Sequence, residues 1–174
     1  MAEYPTITTP RLSLRAPKLE DAPVIAQLAD DLDVARMTTR LPHPYGRADA
    51  EAFISAMMAF DHAREIAFVI EHGEAGTVGV IGLHPSNPLG PEIGYWLGRP
   101  YWGQGIATEA ARGALDWVRD QWRRRVVVSG HFTDNPASGR VLEKAGFLYT
   151  GEVQPRRSTA RKDVAPTRMM VWLA

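Results

Sequence analysis

The chain has 174 residues, close to the usual length of one domain, and 45% of them are hydrophobic, enough to fill a core without staples. It has no cysteine, which excludes disulfide scaffolds, cysteine zinc sites, iron–sulfur clusters and thiol nucleophiles and favours a cytoplasmic location. Twenty basic and twenty acidic side chains give a net charge of +0, which argues against a protein that coats nucleic acid.

The balance hides a polarity. Residues 1–98 hold seven basic and thirteen acidic side chains, and residues 99–174 hold thirteen and seven. An anionic ligand held by the C-terminal half accounts for this, and so do two solvated faces of uneven charge. No apolar run approaches the ~18 residues of a membrane span, and MAEYPTITTP lacks the layout of a signal peptide. Nothing repeats, so one domain over 1–174 is expected.

Leu12, Leu14 and Ala16 alternate with polar residues and predict a first strand over Arg11–Ala16, ended by Pro17. Val24, Ile25, Leu28 and Leu32 recur at helical spacing after Asp21 and Pro23. A second helix is predicted over Asp49–Ala63, with Ala52, Phe53, Ala56, Met57 and Phe60 on one face. Ile66–Glu71 and Thr77–Leu83 read as an antiparallel hairpin, His84–Pro91 as a proline-rich loop, and Glu92–Leu97 as a further strand. Ile106–Trp122 is a helix whose alanines let it lie close to a sheet. Arg125–Phe132 is a β-branched strand, Pro136–Ala145 a short helix, and Leu148–Val153 and Thr167–Leu173 are strands. A hairpin half joined to a strand–helix–strand crossover gives an α+β domain. Its mixed sheet has about seven strands and is flanked by about four helices.

Two segments carry chemistry. In EIGYWLGRPYWGQGIATEAA a strand enters a loop with Gly98, Gly103 and Gly105, which opens directly into a helix. Glycines let backbone approach a ligand there, and the free N–H groups of the helix start suit phosphates; a tight turn without a ligand reads the same way. A P-loop and GxGxxG are both absent, so nucleoside triphosphate and dinucleotide readings drop. In DNPASGRVLEKAGF, Asn135 is an N-cap, Pro136 suits the first helical position, and Gly146 suits a left-handed stop. Asn135 and Ser138 are then either structural or donors to a ligand lying between strands.

Together these segments resemble the GNAT superfamily of N-acetyltransferases, in the branch that looks like the ribosomal-protein alanine N-acetyltransferases. The resemblance spans essentially the whole chain, with TPRLSLRAPKLEDA as the opening strand and helix. It implies acetyl-CoA as co-substrate, and a sheet splayed between the fourth and fifth strands, here Glu92–Leu97 and Arg125–Phe132. The pyrophosphate motif falls on Trp102, Gly103, Gln104, Gly105, Ile106 and Ala107, with Trp102 where a Gln or Arg is usual. The backbone at Leu97 is implied as a pantetheine contact.

The implied reaction is direct attack of a primary amine on the thioester in a ternary complex, the amine coming from a protein N-terminus or a small molecule. It needs a base for the ammonium and a proton for the leaving thiolate. Glu92 is the base candidate, the plain alternative being a solvent-facing strand-end glutamate. The position where many members carry a tyrosine acid is Leu142. Ser138 is then the candidate to hydrogen-bond the sulfur, with Asn135 holding pantetheine or a water and Tyr149 a distant alternative. Backbone N–H groups near Tyr95–Leu97 are candidate donors to the developing oxyanion. Thr38–Phe60 is expected to line the acceptor side.

His43, His62, His72, His84 and His131 show no metal-ligand spacing, so no metal is proposed and most are expected on the surface or in loops. Arg123, Arg124 and Arg125 complement a helix dipole or hold a 3′-phosphate of CoA. Arg156, Arg157, Arg161 and Lys162 read as a solvated loop, or as a nucleic-acid contact that the neutral total charge disfavours. The missing tyrosine raises a non-catalytic acyl-CoA sensor, and the basic loop a ribosome-associated module. Tyr101 and Trp102 leave open whether they cover the cofactor or a second copy in a homodimer.

Overall fold

A computed structural model describes residues 4–174, apart from the side chains of Ser86 and Asn87, so the first three residues of the expected domain lie outside it. The sheet forms from segments whose β-branched and apolar residues alternate or run together. They are β1 (Ile7–Thr8), β2 (Leu12–Arg15), β3 (Ile66–His72), β4 (Gly76–Asn87), β5 (Gly90–Leu97), β6 (Val126–Phe132), β7 (Leu148–Ser158) and β8 (Asp163–Leu173). Their order in the sheet is β1-β2-β3-β4-β5-β6-β8-β7. Every neighbouring pair is antiparallel except β5 and β6, which are parallel. That pair is joined by α4 (Ile106–Asp120), the helical crossover that parallel strands require.

Helices cover both faces. On one side α1 (Ala22–Ala29) and α3 (Arg47–Ala59) bury Ile25, Ala29, Ile54 and Met57 against Ala67, Val69 and Val80. On the other, the alanine stripe of α4 packs on Leu14, Phe68, Ile81 and Ile93, joined by Leu142 and Ala145 of α5 (Pro136–Ala145). β3 is buried on both faces, which explains its nearly continuous apolar run.

Several boundaries differ from expectation. The two-residue β1 adds an eighth strand ahead of the predicted first one, so the strands numbered four and five by sequence are β5 and β6. The helix expected to continue through Leu32 stops at Ala29. Asp31 caps a separate turn, α2 (Leu32–Ala35), by accepting from the N–H of Asp33 at 2.9 Å. Among the described residues this gives five α-helices rather than four. The buried stripe of α3 is Ala50, Ile54 and Met57, rotated from the predicted face, and Ala52 and Ala56 are exposed.

The proline-rich segment His84–Pro91 is not a loop. β4 and β5 run into it and pair His84 with Glu92 and Asn87 with Gly90. By the alternation of the ladder, Pro91 turns its missing N–H away from β4, where the ladder does not need it. β7 likewise extends to Ser158 and β8 starts at Asp163, so Arg156 and Arg157 lie in a strand.

Candidate active site

The central feature is the parting of β5 and β6. Gly98 donates to Val78 O at 2.9 Å, so in register Trp96, Gly94 and Glu92 spend their backbone groups on β4, and Ile93, Tyr95 and Leu97 turn theirs toward β6. The parallel ladder has one registered pair, Glu92 with Val128. Beyond it the hydroxyl of Ser129 donates to Ile93 O at 3.0 Å, where the next ladder bond would fall. At the other end the strands are tight, since a Cβ on Gly90 would lie 2.3 Å from Val126 O. The result is a wedge that opens toward the C-terminal ends of both strands, as the resemblance implied.

A cavity of about 470 Å³ fills the wedge. Its floor is Tyr95, Trp96 and Leu97 and one wall is Asn135 with Pro136–Ser138, Arg140 and Val141 of α5; the loop Tyr101–Gly103, Gly105 and the start of α4 close it. Gly103 and Gly105 have φ of +72 and +76, a conformation that strains residues bearing a Cβ, and Gly105 is the N-cap of α4. The first intrahelical bond comes from Glu109 to Gly105 O, so the N–H groups of Ile106, Ala107 and Thr108 are available to an anion at the positive end of the helix dipole.

The cradle is braced from behind. Arg11 donates to Gln104 O at 2.9 Å and pairs with Glu109 at 2.6 Å, and Glu109 also accepts from Thr9 and from the Arg11 backbone. The Gln104 side chain donates to Pro100 O, so it shapes the loop. Trp102 donates its indole N–H to Leu97 O at 2.9 Å and ties the loop to the strand end. The unusual tryptophan thus holds the carbonyl of the residue expected to touch pantetheine. Both Tyr101 and Trp102 line the wedge.

Arg140 and Lys144, one turn apart on α5, also line the wedge and were not singled out by sequence reasoning. Past Gly105, Thr108 and Lys144 it continues into an open groove of about 810 Å³ beside α4. Arg123–Arg125 follow the C-terminus of α4, about 20 Å of helix from the cradle. There they complement the negative end of the helix dipole.

A second cavity, of about 400 Å³, lies on the α3 side of the sheet. Thr38, Leu41, Tyr45, Phe53 and Met57 line it, within the segment expected to face the acceptor. Glu92 lines it too. This glutamate is 7% exposed, so the solvent-facing alternative fails, and Arg156 clamps it through two hydrogen bonds of 2.5 and 3.0 Å. His84 lines the same cavity, with a pKa pushed down to about 4 by burial and by the nearby Arg40 and Arg156, against the opposing pull of Glu92.

The two cavities share Met37, Thr38, Tyr95, Trp96 and Ser138, and the polar contact among these joins Tyr95 to Ser138. The Tyr95 hydroxyl lies 2.9 Å from Ser138 Oγ, and burial pushes its pKa up to about 12, so it remains a protonated donor. Asn135 caps α5 as expected, accepting from the N–H of Ser138 at 3.2 Å, and Gly146 ends the helix at φ +102. Leu142 is fully buried and faces neither cavity. Tyr149 instead meets His131, whose Nε2 is 3.0 Å from its hydroxyl. His131 is buried on β6 and His84 sits on β4, which corrects the expectation of surface or loop histidines for these two. Arg161 pairs with Asp134 at 2.8 Å and Arg156 with Glu92, so half of the supposed solvated basic loop is committed to the fold. Among the described residues no helix is long and apolar enough to cross a membrane.

The family profile described as an acetyltransferase (GNAT) domain matches residues 11–148. The uncharacterized N-acetyltransferase p20 of Bacillus licheniformis is 31% identical over 150 residues, covering 84% of each chain. Among solved structures, the microcin C7 self-immunity acetyltransferase MccE, in complex with acetyl-CoA and AMP, superposes with a TM-score of 0.83. It is 19% identical, and the match covers 95% of this chain and 94% of that one. RimL, a ribosomal L7/L12 alpha-N-protein acetyltransferase in complex with coenzyme A, gives a TM-score of 0.82 at 19% identity, covering 97% and 98%. At such identities these two likenesses speak for a shared fold.

Proposed function

The chain belongs to the acetyltransferase (GNAT) family, and from that premise we propose that it transfers an acetyl group from acetyl-CoA to a primary amine by direct attack in a ternary complex. The observation that carries this reading is the meeting of the wedge and the α3-side cavity at Tyr95 and Ser138. One cavity has the makings of a phosphate site and the other is a chamber for an acceptor. The wedge fits the co-substrate: two left-handed glycines, free N–H groups on α4 and the cations Arg140 and Lys144 suit pyrophosphate.

Acetyl-CoA supplies a thioester carbonyl and a thiol leaving group. The backbone N–H groups of Tyr95 and Leu97, turned toward β6, are donors for the carbonyl oxygen. Ser138, with Tyr95 behind it, returns a proton to sulfur. Glu92 receives the proton of the ammonium directly or through water, while Arg156 fixes its carboxylate toward the chamber. Asn135 sets the start of α5 and with it the position of Ser138. Because this Tyr95–Ser138 pair provides protic groups where Leu142 does not, the sensor reading has no observation of its own in its favour.

The test is calorimetric titration of acetyl-CoA followed by a thiol-release assay with an amine panel. Micromolar binding with amine-dependent thiol release is expected, and Glu92→Gln should lower kcat/KM by about 100-fold with the acetyl-CoA Kd preserved. Binding without release from any amine would overturn transfer in favour of sensing, and unchanged Glu92→Gln kinetics would remove Glu92 from the reaction.

A further inference from the structure

The chamber on the α3 side has a gap in its floor. Gly82 of β4 and Gly94 of β5 are direct partners in the ladder, between the pair Val80 and Trp96 on one side and His84 and Glu92 on the other. By strand alternation all six residues face the chamber, and all six line it. A Cβ on Gly94 would meet only His84 Cε1, at 3.9 Å, so the space above it is open, whereas one on Gly82 would meet Ile66 O at 3.3 Å and Ala67 Cβ at 3.4 Å, so the gap centres on Gly94. Val80 is buried and Trp96 partly buried, and Phe53 and Met57 of α3 come from above. The open floor is therefore a slot between an indole and an apolar helix face, closed at its far end by polar groups.

Charge narrows the occupant further. Three acids line the chamber against two arginines: Glu92 pairs with Arg156 and Glu65 with Arg40 at 3.8 Å, while Asp49 accepts from the neutral N–H of Gly46 at the start of α3, which leaves one carboxylate charge over. His84 is neutral at pH 7. A polyamine would bring two or more ammonium groups into a space with one carboxylate charge to spare, and desolvating the others there is costly.

Resting on the acetyl-transfer reading, we propose that the acceptor is a primary amine borne on a single flat apolar group. That group lies over Gly94 against Trp96, and the amine points toward Glu92 and the Tyr95–Ser138 junction. The same chemistry is carried by a small arylalkylamine and by a polypeptide whose first residue is aromatic.

Thiol release from acetyl-CoA is measured with 2-phenylethylamine, spermidine, and two peptides of equal length that begin with Phe or with Ser. Acetyl-CoA binding is followed separately by calorimetry. At least about a tenfold higher kcat/KM is expected for 2-phenylethylamine than for spermidine, or for the Phe peptide than for the Ser peptide, the size of step that one apolar contact gives. The arm that responds identifies the source. Gly94→Ala and Gly94→Leu should raise KM for the preferred aromatic amine in that order, the second by more than about tenfold, with the acetyl-CoA Kd within about twofold of wild type. Failure of both arms together, with 2-phenylethylamine no better than spermidine and the Phe peptide no better than the Ser peptide, or unchanged KM for the preferred aromatic amine in a folded Gly94→Leu, would overturn the proposal. Loss of acetyl-CoA binding by the wild-type protein would instead overturn the transfer reading beneath it.

Discussion

Tyr95 and Ser138, 43 residues apart in sequence, share a hydrogen bond of 2.9 Å between their hydroxyls across the mouth of the β5–β6 wedge. Either oxygen can donate, and Tyr95 keeps its proton well into the alkaline range, so the pair can pass a proton and be reset. If it protonates the leaving thiolate, Ser138→Ala and Tyr95→Phe should each lower kcat by about 100-fold while acetyl-CoA Kd stays near wild type. The double variant should be little worse than either single one, because the two act as a unit. Additive losses in steady-state kinetics would mean the hydroxyls act separately.

The cradle predicts a different signature. Valine at Gly105 would sit at φ +76, costing about 1–3 kcal/mol of strain. Its Cβ would also press on Arg11 Nη2 at 3.4 Å, on the brace of the loop. Acetyl-CoA binding should weaken about 10- to 100-fold at equal fold content, measured by calorimetry and circular dichroism. Retained affinity in the folded variant would contradict the cradle.

What could be read from the sequence was whatever is local. The helix Pro136–Ala145 is specified at both ends by its own cap residues and appears with those same bounds, and the glycine turn before Ile106 is a short-range signal of the same kind. The mixed sheet followed from the order of elements. The pairing of Glu92 with Arg156 was not legible, because 64 residues separate them and no periodicity marks a long-range ion pair. Tyr95 escaped notice as a side chain for the same reason: its role depends on α5 crossing the open wedge. Arg140 and Lys144 read only as the polar face of α5 until that face was seen to line a cavity. The break at Asp30 was missed because apolar spacing continues through Leu32, and a capping aspartate outweighed it.

Stability should depend on a pair far from the site. Asp21 is buried and accepts two 2.8 Å hydrogen bonds from Arg15. Burial alone would raise its pKa, but Arg15 and the Lys18 N–H outweigh burial and hold it below the ordinary aspartate value. Its contribution is therefore complete above pH ~3.9 and is lost as pH falls through the depressed folded value. Asp21→Asn should cost about 1.5–3 kcal/mol in urea denaturation at neutral pH, since it removes the charge-assisted pair of hydrogen bonds from a largely buried arginine that keeps Glu71 at 2.6 Å. The gap to wild type should narrow in strongly acidic buffer, and a gap independent of pH would exclude the ion pair as its source.

His84 offers the sharpest test of the α3-side chamber's electrostatics. Burial lowers its pKa first, Arg40 and Arg156 lower it further, Glu92 opposes them, and the balance falls at about 4. The folded protein thus resists protonating a group that titrates near 6.5 when unfolded, so this imidazole stays neutral through the whole range in which an acetyltransferase would be assayed. Its Cε1 proton resonance should be flat between about pH 5.5 and 8. Replacing Arg40 with methionine removes one of the two cations and should move the titration upward toward the ordinary histidine value, without changing the length of the chamber floor. A His84 resonance that titrates near 6.5 in the wild type would mean that the chamber is wetter than its lining implies, and the charge argument for a monoamine acceptor would fall with it.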